Sequence, residues 1–252
     1  MNNRYFIELS YRGTNYHGWQ IQENAHSVQA ELNKALSILL KEDISTLGAG
    51  RTDTGVHAKY FIAHFDTNHP ELLAKSDFIY HLNHIVPLDI SIKSIKAVKP
   101  EAHARFDATS RTYEYIICKE KDPFWLNMAW LYTGELNVDL MNQAIKYLFS
   151  YSDFTSFSKV GSDVKTSICK INSAKWEEKE NLLVFTISAD RFLRNMVRAI
   201  IGTLIDVGRK KISIERFSEI IAAQNRSLAG SSAPAEGLYL TNIDYPKELF
   251  LI

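Results

Sequence analysis

Cysteine is scarce in this chain of 252 residues: only Cys118 and Cys169 are present. Both stand in segments of strand-like composition. No Cys-x-x-Cys pair exists, which excludes a zinc ribbon or knuckle, and the two read as buried thiols of a reducing compartment. Long apolar runs are lacking too, so no segment can cross a bilayer. The opening residues Met1-Asn2-Asn3-Arg4-Tyr5 begin an alternating stretch and not a signal peptide. These absences lead us to expect a cytoplasmic protein with no membrane partner. There is no excess of charge: 29 Lys and Arg face 29 Asp and Glu, and the halves before and after Arg105 are each neutral. A nucleic acid would therefore have to be met by local basic clusters, without help from an overall field. No repeat of solenoid length and no low-complexity segment occurs.

What is present is ordinary for a globular chain: 46% apolar and 23% charged residues, enough for one large core or two modest domains. Strand patterns are predicted over 4–10, 57–66, 90–98, 111–119, 168–176, 182–189 and 238–244. Helical spacing is predicted over 28–41 with Ser27 as N-cap, 78–83, 139–150, 192–207 and 215–224. The helix over 192–207 is apolar almost all round and should be buried. A charged turn is expected over 177–181. The order is mixed, which argues for an α+β fold with helices on sheets. A boundary near 105 gives two comparable units, 1–105 and 106–252. Pattern alone leaves open whether each has its own sheet or one sheet runs through both.

The segment Gly48-Ala49-Gly50-Arg51-Thr52-Asp53-Thr54-Gly55-Val56-His57-Ala58 carries the strongest signal. Its glycines permit positive φ and close backbone approach. Arg51 and Asp53 are two apart, so in an extended backbone they share a side. A Walker A loop and a dinucleotide fingerprint are both set aside, because each must open a helix and this loop opens a strand. On physics alone the segment is either a turn with an Asx-type aspartate or a chemical loop.

The loop resembles the Gly-Arg-Thr-Asp-x-Gly-Val-His signature of the tRNA pseudouridine synthase A family. Five further motifs follow in that family's order. Tyr11-Arg12-Gly13-Thr14 with Tyr16-His17-Gly18-Trp19-Gln20 resembles its N-terminal motif. His103-Ala104-Arg105-Phe106-Asp107 followed by Arg111-Thr112-Tyr113-Glu114-Tyr115 resembles its central one. Asp153-Phe154-Thr155-Ser156-Phe157, Phe192-Leu193-Arg194-Asn195-Met196-Val197-Arg198 and Ala233-Pro234-Ala235-Glu236-Gly237-Leu238 complete the set. Thr54 stands where many relatives have Ala, a small and tolerable change.

The resemblance implies a fold of two similar helix-covered antiparallel or mixed sheets joined around a central active-site cleft. It also implies isomerisation of uridine to pseudouridine at positions 38 to 40 of the tRNA anticodon stem-loop, by a homodimer. Asp53 would be the catalytic nucleophile and Arg198 its ion-pair partner. Tyr113 would stack on the target base, Leu238 would pack against it, and Arg51 would position the flipped nucleotide. Arg194 would contact phosphate. The reaction oxidises nothing and takes no group from outside, so no cofactor is expected.

The residues themselves bear on these roles. A carboxylate kept ionised in a dry pocket needs a cation. On the helical pattern, Arg191, Arg194 and Arg198 lie on one stripe and need an anion or a route to solvent. Tyr113 and Tyr115 share a strand face. Tyr16 and Trp19 either stack on RNA or fill the core. Arg12, Arg51, Arg105, Arg111 and Arg209-Lys210-Lys211 are the other basic candidates for RNA. His81 and His84 have helical ligand spacing but no patterned third ligand, so a zinc site is not expected. His57 is expected to brace the loop by a backbone hydrogen bond. Other readings are a non-catalytic RNA-binding protein, a nucleotide-handling enzyme, and a pseudouridine synthase acting on other RNA uridines.

Overall fold

The computed structural model describes residues 3–69, 71, 75–159, 161 and 166–251; Met1 and Asn2 of the opening stretch lie outside them. The chain forms two compact units, one of Met1–Thr109 with Tyr239–Ile252 and one of Ser110–Leu238.

The first unit begins with β1 (Asn3–Tyr11), α1 (Val28–Leu40), β2 (Leu47–Gly48), β3 (His57–Thr67), α2 (Phe78–Ile85) and β4 (Ile90–Ala97). In α1, Val28, Leu32, Ala35, Leu36 and Leu40 are buried, the spacing of one helical face. Ser27 caps it as expected, its side chain accepting from Ala30 N–H. β1 pairs antiparallel with both β3 and β4. Tyr5 stands opposite Phe65, and their rings stack at 5.7 Å. Arg4 stands opposite Asp66 and holds it through two hydrogen bonds of 2.7 Å, which keeps the Asp66 carboxyl below its ordinary range.

The second unit holds β5 (Ser110–Cys118), β6 (Trp130–Leu131), α3 (Val138–Ile145), β7 (Ile171–Lys179), β8 (Leu182–Ala189), α4 (Met196–Gly208) and α5 (Ile214–Ala222). β8 lies between β5 and β7, antiparallel to both. Trp176 and Phe185 pack at 4.9 Å across the β7–β8 pair. The helix α4 is buried on nearly every side, as its composition requires.

The last strand, β9 (Leu238–Asp244), is followed by a 3-10 turn at Lys247–Leu249. From Tyr239 onward it belongs to the first unit, where Tyr239 and Leu240 pair in parallel with His57 and Ala58 of β3. With β5 and β6 also parallel, the pairing is mixed. Among the described residues there are five α-helices, and the α+β class expected from the pattern is the class found.

Several boundaries differ from expectation. The helix expected over 192–207 begins only at Met196, because Asn195 takes a left-handed conformation (φ 67°) that an α-helix cannot include. The helix expected over 139–150 tightens into a 3-10 turn at Lys146–Phe149. The strand expected over 168–176 is displaced to Ile171–Lys179, so Cys169 lies just before it. The turn that follows shrinks to Glu180 and Asn181, with Glu180 left-handed at φ 55°. Both cysteines are buried and free, and burial pushes the Cys169 thiol up to about 12.

Candidate active site

The first unit carries Arg51 and Asp53 on the loop before β3, and that loop is fixed by its backbone. Ala49 N–H donates to Ile62 O at 2.8 Å, Trp19 N–H to Thr52 O at 3.3 Å, Val56 N–H to Asp53 O at 3.1 Å and Gly55 N–H to Tyr16 O at 3.3 Å. The Thr52 hydroxyl is buried against the Tyr11 phenol at 2.9 Å. Arg51 is exposed, Thr52 buried and Asp53 partly exposed. That alternation is expected when positions 51 and 53 share a side.

Two glycines make the fit possible. A Cβ on Gly18 would stand 2.2 Å from Thr52 O, and Gly18 also has φ +91°; a Cβ on Gly13 would stand 2.0 Å from Val56 O. The N-terminal motif and the aspartate loop are thus interlocked main chain against main chain. Tyr16 and Trp19, for which two readings stood, fill the core: each is 2% exposed. Trp19 packs on Phe61 at 4.2 Å, and the Tyr16 hydroxyl donates to Asp89. His57 does brace the loop region. Its Nδ1 accepts from Gly13 N–H at 2.9 Å, and its ring stacks on Tyr239 at 4.7 Å.

The second unit carries Tyr113, Arg194, Arg198 and Leu238. Tyr113 lies on β5 opposite Ile187, its ring at right angles to that of Phe192 with centroids 5.2 Å apart. Arg198 sits in the first turn of α4. Its Nε donates to Ala233 O at 2.7 Å, and Ala233 N–H donates back to Arg198 O at 3.0 Å. The Tyr115 hydroxyl donates to Pro234 O at 2.8 Å. Burial pushes the Tyr115 phenol well above its ordinary value; the Arg198 cation opposes that shift and Glu236 adds to it. The segment that orients Arg198 therefore leads directly into Leu238, which is 6% exposed.

The expected stripe of three arginines on one helix is not found. Arg191 and Arg194 precede α4, and only Arg198 is helical. Arg194 is exposed, and its carbonyl accepts from Lys159 N–H at 3.0 Å. Left-handed Asn195 breaks the stripe, and the apolar neighbours Phe192 and Leu193 disguise the break in the sequence. One acceptor of Arg198 is a backbone carbonyl, that of Ala233, which no side-chain pattern marks. Among the basic candidates, Arg105 lies over the Phe106 ring at 5.6 Å, Arg111 Nη1 donates to Asp190 O at 3.0 Å, and Lys211 pairs with Asp206 at 3.3 Å. Among the described residues, no group of three or more His, Cys, Asp or Glu is disposed to hold a metal ion, and no helix is long and apolar enough to cross a membrane.

Comparison with known proteins gives concordant matches. A family profile described as tRNA pseudouridine synthase matches residues 144–246. A tRNA pseudouridine synthase A of Bacteroides fragilis is 54% identical over 98% of this chain and 98% of its own length. One from Bacteroides thetaiotaomicron is 52% identical over 98% of this chain and 92% of its own. A more distant relative of the same name, from Clostridium acetobutylicum, is 39% identical over 95% of this chain and 98% of its own.

Proposed function

The chain belongs to the tRNA pseudouridine synthase A family, and from that membership we propose that it acts on uridines 38 to 40 of the tRNA anticodon stem-loop, with Asp53 as nucleophile. The enzyme is an isomerase of tRNA uridines. The C1′–N1 bond breaks, the base turns and a C1′–C5 bond forms, while C5 gives up its proton and the released N1 takes one up. Nothing is oxidised and every heavy atom of the base is kept, so one well-placed carboxylate suffices.

The observation that carries the residue assignment is the seating of the Gly-Arg-Thr-Asp loop, held by four backbone hydrogen bonds and a buried threonine. Such holding suits a nucleophile that must meet its target in one geometry. Arg198 serves as the counter-ion of Asp53 and keeps it ionised when water is excluded. Tyr113 stacks on the extruded base and Leu238 closes on it, since an enzyme working on a base takes it out of the stack. Arg51 positions the flipped nucleotide and Arg194 meets phosphate. The reading carries with it a symmetric homodimer and a cytoplasmic setting.

The test is carbodiimide and primer-extension mapping of tRNA treated with wild type and with Asp53→Ala, without added metal. Wild type is expected to mark the anticodon-arm uridines, and Asp53→Ala to lose at least about a thousandfold in rate. Unmarked uridines with wild type would overturn the target; an active Asp53→Ala would overturn the nucleophile. Light scattering of the purified protein checks the homodimer.

A further inference from the structure

In α4, only Arg198, Gly202 and Asp206 are not fully buried. They stand four apart and form one stripe along the helix. The chain over 229–233 lies as a strap along that stripe. A Cβ on Gly202 would stand 1.7 Å from Ser231 O, and one on Gly230 would stand 3.0 Å from the Asp206 carboxylate. Gly230 N–H donates to Thr203 Oγ1 at 2.9 Å. At the end of the strap, Ala233 O accepts from Arg198 Nε.

One side chain, Arg226, clamps the strap. Its Nη1 donates to Ala229 O at 3.4 Å and Gly230 O at 3.2 Å, and its Nη2 to Ser232 Oγ at 3.0 Å. The same Ser232 Oγ accepts from Asn195 Nδ2 at 2.6 Å, and Asn195 is the left-handed residue that starts α4. Among the described residues no carboxylate pairs with Arg226; its planar fork is used for geometry. The clamp thus fixes the strap to the helix start on one side and sets the height of Ala233 O on the other.

We propose that Arg226 is a positioning residue for the isomerisation, fixing the 229–233 strap so that Ala233 O aims the Arg198 guanidinium. The inference rests on the reading of Arg198 as the counter-ion of Asp53. The bond to Nε restrains the plane of the guanidinium. With the strap loose, the cation sweeps other rotamers and its support is lost in the transition state, while RNA binding is not.

The experiment measures single-turnover pseudouridine formation at saturating tRNA, and tRNA Kd by filter binding. Arg226→Gln and Arg226→Lys are both expected to lose about tenfold or more in rate, because displacement of a reacting group by even 1 Å is costly. Their Kd should stay within about twofold of wild type, because both Arg226 Nη atoms are taken up by the strap. Lysine should not rescue, because it keeps the charge but cannot make the fork; full rescue by Lys overturns the proposal. Added to Arg198→Lys, Arg226→Gln should cost less than about twofold more, since the two act as one unit. Multiplied losses in that double variant overturn the strap alone. Arg198→Lys at the wild-type rate overturns the reading of Arg198, and this inference with it. If Arg226→Gln does not fold, Ser232→Ala carries the test: it removes the hydrogen bonds from Arg226 and Asn195, a loss of about threefold or more in rate at unchanged Kd is expected, and an unchanged rate overturns the proposal.

Discussion

The aspartate loop of the first unit and the arginine strap of the second are held by opposite means. Around Asp53 most of the hold is main chain to main chain, and two glycines, Gly13 and Gly18, are needed because any Cβ would collide with carbonyls of the loop. Around Arg198 the work falls to side chains: Arg226, Asn195 and Thr203 each bond to the strap that orients it, and Tyr115 bonds to Pro234 just beyond it. A backbone lock is rigid and leaves little to adjust. A side-chain latch can be altered one bond at a time. The first should therefore fail abruptly under substitution and the second by degrees.

The largest effect that would test this contrast is at Arg198. Arg198→Ala is expected to lose about a thousandfold in turnover, the scale of removing one preorganised charge from a transition state, while tRNA Kd moves only a few-fold. Equal losses in both would make Arg198 a plain phosphate contact. Next comes Gly18→Ala, where φ is +91° and Thr52 O blocks the Cβ. It should lower the rate about a hundredfold and cost about 1–3 kcal/mol of stability, read by single-turnover kinetics and thermal melting. Its partner control is Gly50→Ala, in the same loop but with nothing within 4 Å of the new Cβ; stability should stay within about 0.5 kcal/mol. If both alanine variants behave alike, the backbone lock is not what holds the loop.

The smallest effect is a pH dependence belonging to the first unit. His64 on β3 accepts from Ala104 N–H at 3.1 Å through Nδ1. Burial, with the nearby His103 and Arg4, lowers its pKa to about 4. Its neutral form is thus favoured by folding relative to an unfolded value of about 6.5. The associated stability is full above pH 6.5 and is lost as pH falls from there toward 4. Calorimetric Tm across that window should fall less steeply for His64→Gln than for wild type. Parallel profiles would show that another group governs the acid limb.

The contrast also explains what could be read from the sequence. α1 and its Ser27 cap were legible because a helix face and an N-cap are patterns of side chains. So was β9, a run of β-formers with its own boundaries. The aspartate loop stood out by its resemblance to a family signature, while the glycines that its main-chain lock requires, Gly13 and Gly18, stand in the N-terminal motif. The start of α4 was not legible, since Phe192 and Leu193 continue the apolar rhythm through a backbone that Asn195 has already turned aside. Nor was the strap, whose acceptors at Ala229, Gly230 and Ala233 are carbonyls common to every residue. Arg226 is one basic residue among many until those bonds are seen. Tyr16 and Trp19 show the same limit: their place in the core is set by what packs on them, not by their type.

The return of β9 to the side of β3 has a consequence for synthesis. As the ribosome delivers the chain, everything up to Thr109 emerges well before Tyr239, so β3 must wait for its parallel neighbour while the whole second unit is being made. A strand left with an unpaired edge is an invitation to other nascent chains. The newborn protein is most exposed to misassembly during that interval, and slower translation over 110–238 would lengthen it.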